Sequence, residues 1–340
     1  MASRIRVGVI GTGRIGQLHA RHLARNITQA SLVAVSDVAI SAAERCAADL
    51  DVPYVTDDYR DILSDPDVEA VVICSSTDTH TQIIKDAARA GRHVFCEKPI
   101  DVDLARIDSA LDAVDRAGIK FQVGFNRRFD PSFRRLRAGV LAGDIGEPHI
   151  LRITSRDPAP PPIEYIRVSG GIFLDMTTHD FDMARFLIGS EVEEIYTSGA
   201  VRVDPAIGQA GDLDTAVITL RFANGVLGTI DNSRQAVYGY DQRVEVFGSA
   251  GMIQADNSFA NTVVLSDARN VARDLPLNFF MDRYIESYVA EMTAFVDCIL
   301  NDQQPEVTGV DGRIPVIMGY AARRSYEQRR PVRLDEIASA

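Results

Sequence analysis

Residues 7–16 read VGVIGTGRIG, an apolar run that ends in glycines at Gly11, Gly13 and Gly16. The spacing is G-x-G-x-x-G, directly after the strand-like IRVGVI at 5–10. Each glycine has its own task in that setting. Gly11 permits a tight turn, Gly13 lets the backbone approach a pyrophosphate, and Gly16 lets the next helix pack closely on the strand. Thr12, Arg14 and Ile15 fill the loop between them. The free amides where the helix begins suit an anionic group.

The motif alone is weak, and its context strengthens it. Asp37 closes a second strand-like run, SLVAVSD at 31–37, and stands 21 residues beyond Gly16. A carboxylate there accepts hydrogen bonds from an adenosine ribose and repels a 2′-phosphate. The next residues, Val38, Ala39 and Ile40, bring no arginine, so the expected cofactor is NAD rather than NADP.

Outward from this stretch, further apolar strands are expected at 69–74, 93–97 and 120–125, with helices at 14–25, 41–50, 80–90 and 103–117. Near-continuous apolar strands alternating with helices predict a parallel sheet covered on both faces, a Rossmann domain over residues 1–124. Beyond residue 125 the rhythm changes. The proline-dense SRDPAPPPIEY (155–165) predicts an irregular loop. An amphipathic helical segment at 172–188 follows, then alternating runs at 192–203, 214–222, 226–234 and 242–248 with turn signals between them. Those runs predict a large, mostly antiparallel and largely meandering open sheet. Late helices are expected at 281–300 and 311–328. The second domain, 125–340, is therefore read as α+β, with a C-terminal helix able to pack back on the first domain and the active site at the junction.

Size and composition agree with this division. A chain of 340 residues exceeds one ordinary core. Its net charge of −12 argues against a nucleic-acid partner, which demands a basic surface. No apolar run approaches the roughly 20 residues of a membrane helix, and MASRIRVGVIG lacks a secretory pattern. Cys46, Cys74, Cys96 and Cys298 are scattered, which fits a reducing cytoplasm better than disulfides or zinc. No metal is expected.

Three segments bear on chemistry. CSSTDTH (74–80) sets Ser75, Ser76, Thr77 and His80 at a strand's carboxyl end, where they either line a cofactor crevice or serve the next helix. FCEKP (95–99) ends another strand with Glu97 and Lys98, before a proline that suits a cis bond. In GGIFLDMTTHDFDMARFL (170–187) a helix would put Asp175 and His179 on one face. A carboxylate beside a histidine sets its tautomer and pKa for acid–base work, although an isolated D-x-x-x-H is more often structural.

GTGRIG, EKP and GG-x-x-x-D-x-x-x-H-D, in this order, resemble the glucose–fructose oxidoreductase/inositol dehydrogenase/MocA-like family over essentially the whole chain. GFNRRFDP (124–131), SRDPAPPP (155–162) and YGYDQRVEVFGSAG (238–251), together with the histidine segment, narrow the resemblance to bacterial inositol 2-dehydrogenases. That resemblance implies NAD-dependent oxidation of a small neutral inositol, a catalytic set of Lys98, Asp175 and His179, and a homotetramer built on the open sheet. It also implies that Arg127 lies near the nicotinamide and substrate with Asn126. Asp157, Tyr238 or Tyr240, and Tyr284 are candidate hydroxyl partners, with packing roles equally open. Relatives of the same fold act on other sugars or polyols, and a non-catalytic NAD-binding regulator is a further alternative.

Overall fold

The computed structural model describes residues 4–338. The described residues divide into two units, one of residues 4–129 with 286–314, the other of 130–285 with 315–338.

The first unit begins β1 (Ile5–Ile10), α1 (Arg14–Arg25), β2 (Ala30–Ser36), α2 (Ile40–Leu50), β3 (Tyr54–Thr56) and α3 (Tyr59–Ser64). It continues with β4 (Ala70–Ile73), α4 (Thr77–Arg89), β5 (His93–Glu97), α5 (Leu104–Ala117) and β6 (Phe121–Gly124). The six strands form one parallel sheet in the order β3-β2-β1-β4-β5-β6. Every residue of β4 is buried, as its unbroken apolar run requires. β3, an edge strand of three residues, is too short to leave a pattern in the sequence. α4 begins earlier than its apolar periodicity suggests, because the extended Ser76 is its N-cap and Thr77 opens the first turn. Met292, Phe295 and Val296 join the core of β1, β2, β4 and β5, beside Val7, Val72 and Phe95.

The second unit contains α6 (Pro131–Ala142), β7 (Pro148–Arg156), α7 (Ile163–Ile166), α8 (Ile172–Asp175), α9 (Thr178–Ile188), β8 (Val192–Ala200) and α10 (Pro205–Gln209). Next come β9 (Thr215–Phe222), β10 (Leu227–Ser233), β11 (Asp241–Gly248), β12 (Gly251–Ala255), β13 (Val264–Ser266), β14 (Val271–Arg273) and α11 (Phe280–Arg283). The chain then runs through α12 (Ile285–Leu300), α13 (Gly309–Gln328), β15 (Val332–Arg333) and α14 (Asp335–Ala338). Seven strands pair in the order β12-β11-β7-β10-β9-β8-β15. All are antiparallel except β7 with β10.

Four expectations need correction. The sheet is a meander only from β8 to β10, since β7 is inserted between β10 and β11. Ser155 and Arg156 are strand rather than loop, because β7 extends until Asp157 and the prolines beyond it, which cannot donate to a ladder. The segment 172–188 is two helices separated at Met176 and Thr177, whose Oγ1 lies 3.1 Å from the carbonyl of Ile172. The late helix is likewise divided, with Tyr284 between α11 and α12. No helix among the described residues is long and apolar enough to cross a membrane.

Candidate active site

In the first unit the glycine loop is built as its spacing implies. A Cβ on Gly16 would lie 1.8 Å from the carbonyl oxygen of Gly11, whereas one on Gly13 would meet nothing within 4 Å. The first contact is the close helix–strand approach; the second is open space for a ligand. Gly13 caps α1 without a side-chain hydrogen bond, and the first turn holds no acidic residue. A dinucleotide pyrophosphate fits this end, which offers amides and has no acidic side chain in the first turn.

Asp37 is anchored to that loop. Its Oδ2 accepts from the Thr12 amide at 2.7 Å and the Thr12 hydroxyl at 3.0 Å, and its Oδ1 accepts from the Ala39 amide at 2.9 Å. Oδ2 already accepts twice, but Oδ1 accepts once and keeps an acceptor direction for a ribose hydroxyl. The exposed Val38 follows it.

Around β4 and β5 the structure separates several roles. The Ser75 and Thr79 hydroxyls are 2.7 Å apart. His80 is buried with Nδ1 at 2.9 Å from the Pro99 carbonyl and Nε2 at 3.0 Å from the Ser75 carbonyl. Burial pulls its pKa below the ordinary value although both carbonyls favour the charged ring. His80 thus ties the EKP turn to the end of β4. The Lys98–Pro99 bond is cis, as the sequence suggests. The Lys98 amide donates to Glu97 Oε2 at 3.2 Å, and Glu97 Oε1 meets His19 Nε2 at 2.8 Å. After β6, Asn126, Arg127 and Arg128 are buried in a 3-10 turn. The Asn126 amide nitrogen has no hydrogen-bond acceptor among the described residues. Arg128 pairs with Asp311 at 2.9 Å; burial raises that carboxyl, but the guanidinium outweighs it and holds the pKa below the usual range.

In the second unit, Asp175 and His179 are the two residues of 171–180 that are not fully buried. Asp175 is held by partners that no local pattern reveals. The Tyr165 hydroxyl donates to its Oδ1 at 2.9 Å, and Arg234 Nη1 approaches its Oδ2 at 3.4 Å. Burial, then the Asp175 charge, pushes the Tyr165 phenol well above its ordinary value, so it remains a donor. Arg234 reaches Asp212 Oδ2 at 3.4 Å with its other nitrogen, while Asp212 Oδ1 accepts from the Ile172 amide at 3.0 Å. Gly171 lies at φ +81 there, and a Cβ on it would come within 2.6 Å of Asp212 Oδ1. Below α9, a buried chain runs from the Thr177 hydroxyl to Asn232 (2.6 Å) and from the Asn232 amide to Asp180 (2.8 Å).

The remaining candidates are less uniform. The Tyr238 hydroxyl donates to Asp241 at 2.5 Å and accepts from Arg156 at 3.0 Å, a tie within the sheet. Tyr240 and Tyr284 are buried and meet edge to face at 6.1 Å. Asp157 joins two strand ends through its backbone: its amide donates to Ser233, and its carbonyl accepts from Ala236.

Residues 5–125 match the oxidoreductase family with the NAD-binding Rossmann fold, and 133–254 match the GFO/IDH/MocA C-terminal domain. Fold and nucleotide loop together define an oxidoreductase whose cofactor is NAD. The chain belongs to the GFO/IDH/MocA family. It is 51% identical over 98% of its length, and 99% of the relative's, to a myo-inositol 2-dehydrogenase of Thermotoga maritima. It is 44% identical to an inositol 2-dehydrogenase of Rhizobium meliloti, over 96% of this chain and 98% of that one. Among solved structures, scyllo-inositol dehydrogenase of Lactobacillus casei with bound NAD(H) and scyllo-inositol superposes with a TM-score of 0.92 at 31% identity, covering 98% of this chain and 100% of that one.

Proposed function

We propose that this enzyme is an NAD-dependent inositol 2-dehydrogenase, oxidising myo-inositol or a close stereoisomer to the 2-keto-inositol. The observation that carries the substrate is similarity extending through the second unit, since a Rossmann half is shared by many chemistries. The functional division we adopt is an NAD-binding domain over 1–124 and a substrate and oligomerisation domain over 125–340.

The glycine loop holds the pyrophosphate, and Asp37 the adenosine ribose. Ser75, Ser76, Thr77, Glu97 and Arg127 are the further cofactor contacts of this proposal, with His80 supporting them. NAD, when bound, supplies the hydride acceptor. Lys98, Asp175 and His179 form the catalytic set. His179 takes the hydroxyl proton as general base, and Asp175, kept in place by Tyr165 and Arg234, orients and charges against its ring. Lys98 hydrogen-bonds the reacting oxygen and stabilises charge on it. Asn126, Asp157, Tyr238 and Tyr284 are proposed hydroxyl partners, and a neutral polyol suits such fixed donors and acceptors.

We place the enzyme in the cytoplasm, a reading supported by four free cysteines. A homotetramer is supported by the outward face of the second sheet, where Ile150, Tyr196, Val217, Leu227 and Phe247 are exposed. Light scattering after size exclusion measures it, and a monomer would remove it. The decisive test of function is NADH formation with a panel of inositols, glucose and acyclic polyols. An inositol is expected to give the highest kcat/KM, because a rigid ring has few rotors to order. A clear preference for glucose or an acyclic polyol would overturn the substrate assignment.

A further inference from the structure

Beneath the EKP turn, within the first unit, lies a cluster in which the dehydrogenation scheme uses Glu97 but neither His19 nor Glu291. His19 of α1, Glu97 of β5 and Glu291 of α12 each offer a ligand-type atom, all within 4.8 Å of one another. Glu97 has donors on both oxygens, His19 Nε2 on one and the Lys98 amide on the other. Glu291 is fully buried, and neither of its carboxyl oxygens has a hydrogen-bond partner. Its main-chain carbonyl accepts from the Gln122 amide at 2.8 Å, which fixes this part of α12 against β6. His19 is wedged edge-on between Phe95 (5.2 Å) and Tyr288 (5.8 Å).

Two carboxylates this close and this buried do not both ionise. Glu97, with its two donors, is the better anion; Glu291, with none, is the better acid. We propose that Glu291 is a positioning residue, a protonated carboxylic acid set against the Glu97 carboxylate, so that the pair holds one proton and one negative charge at neutral pH. A single charge on Glu97 keeps the His19 and Lys98 amide hydrogen bonds and so sets the backbone from which Lys98 projects. The alternative occupant of the cluster is a metal ion. It is disfavoured because only three ligand atoms converge among the described residues.

Burial first, and the Glu97 charge second, push the Glu291 carboxyl well above the usual range. The other titratable groups around it are His19, Glu97, Tyr288 and the Cys74 and Cys96 thiols. Burial followed by the neighbouring Glu97 raises both thiols, which therefore stay neutral. An acid whose pKa rises on folding binds more protons folded than unfolded. Its contribution to stability is therefore lost as pH climbs from the ordinary glutamate value, about 4.3, towards the raised one.

The test uses the full-length protein and three readouts. The infrared spectrum at neutral pH should contain the carbonyl stretch of a carboxylic acid that disappears in Glu291→Gln. The Tm of Glu291→Gln should gain on wild type as pH rises through that window. Glu291→Leu should raise the KM for NAD several-fold with a smaller change in kcat, and Glu291→Gln, which keeps the shape and the neutral polarity of the protonated acid, should restore it. The kinetic arm rests on the proposed roles of Glu97 and Lys98; the infrared and stability arms need no substrate and fail separately. No difference band, parallel stability curves, or a Gln variant as impaired as Leu would overturn the proposal. So would a stoichiometric metal whose chelation lowers Tm.

Discussion

Replacing Arg234 by methionine probes the support of Asp175 directly. The guanidinium is 1% exposed and stands between Asp175 and Asp212, whose side chains are 15% and 10% exposed. Truncation leaves two nearly buried carboxylates without their shared cation. Removing one partner of a buried pair costs about 3–5 kcal/mol. Both contacts are 3.4 Å, long for charge-assisted bonds, and both acids keep some solvent, so the lower end, about 3 kcal/mol, is expected. At about 2–4 °C per kcal/mol this is a Tm loss of about 6–12 °C. A displaced Asp175 should also lower kcat by about 10²-fold, the scale of an ångström-sized misplacement. Thermal denaturation followed by circular dichroism, and initial rates of NADH formation, measure the two effects. Adding Asp212→Asn removes one stranded charge, so the double variant should be more stable than the single losses sum to, by about 0.5–3 kcal/mol. A methionine variant melting within about 2 °C of wild type would refute the reasoning. Strict additivity with Asp212→Asn would show that Arg234 does not bridge the two acids.

Three further outcomes are expected. His179→Ala should lower turnover by about 10²–10⁴-fold with little change in NAD affinity, and Lys98→Met should also be severe; stopped-flow rates and NAD titration separate the two effects, and a collapse of NAD binding with normal turnover would make His179 structural. Asp37→Ser should narrow the preference for NAD over NADP, read from the two kcat/KM values, because it removes the carboxylate that opposes a 2′-phosphate; an unchanged ratio would deny Asp37 that role. Gly16→Ala should unfold or displace the nucleotide loop, since its Cβ would lie 1.8 Å from a backbone oxygen; a variant with wild-type Tm and NAD affinity would contradict the packing described.

The Rossmann half was legible because its signals are local. β1 and the glycines are neighbours in sequence, and both faces of the parallel strands are buried, so each strand is written as one apolar run. The positions of Lys98 at the end of β5 and of Asp37 just after β2 follow from the same alternation. Local pattern also drew attention to Asp175 and His179, but periodicity alone joined α8 and α9 into one helix. The break at Met176–Thr177 depends on a polar chain through Asn232, which is 55 residues distant.

Only tertiary structure identified what holds those side chains. Arg234 is 59 residues from Asp175, and Asp212 is 40 from Ile172, distances over which no helical or strand period operates. Glu291 reads in sequence as an ordinary acid of an amphipathic helix and comes to lie buried near Glu97 only when α12 packs beside β5 and β6. Such residues leave no motif because their role is defined by low dielectric and by neighbours from remote strands, and burial with pairing exists only once the chain has folded.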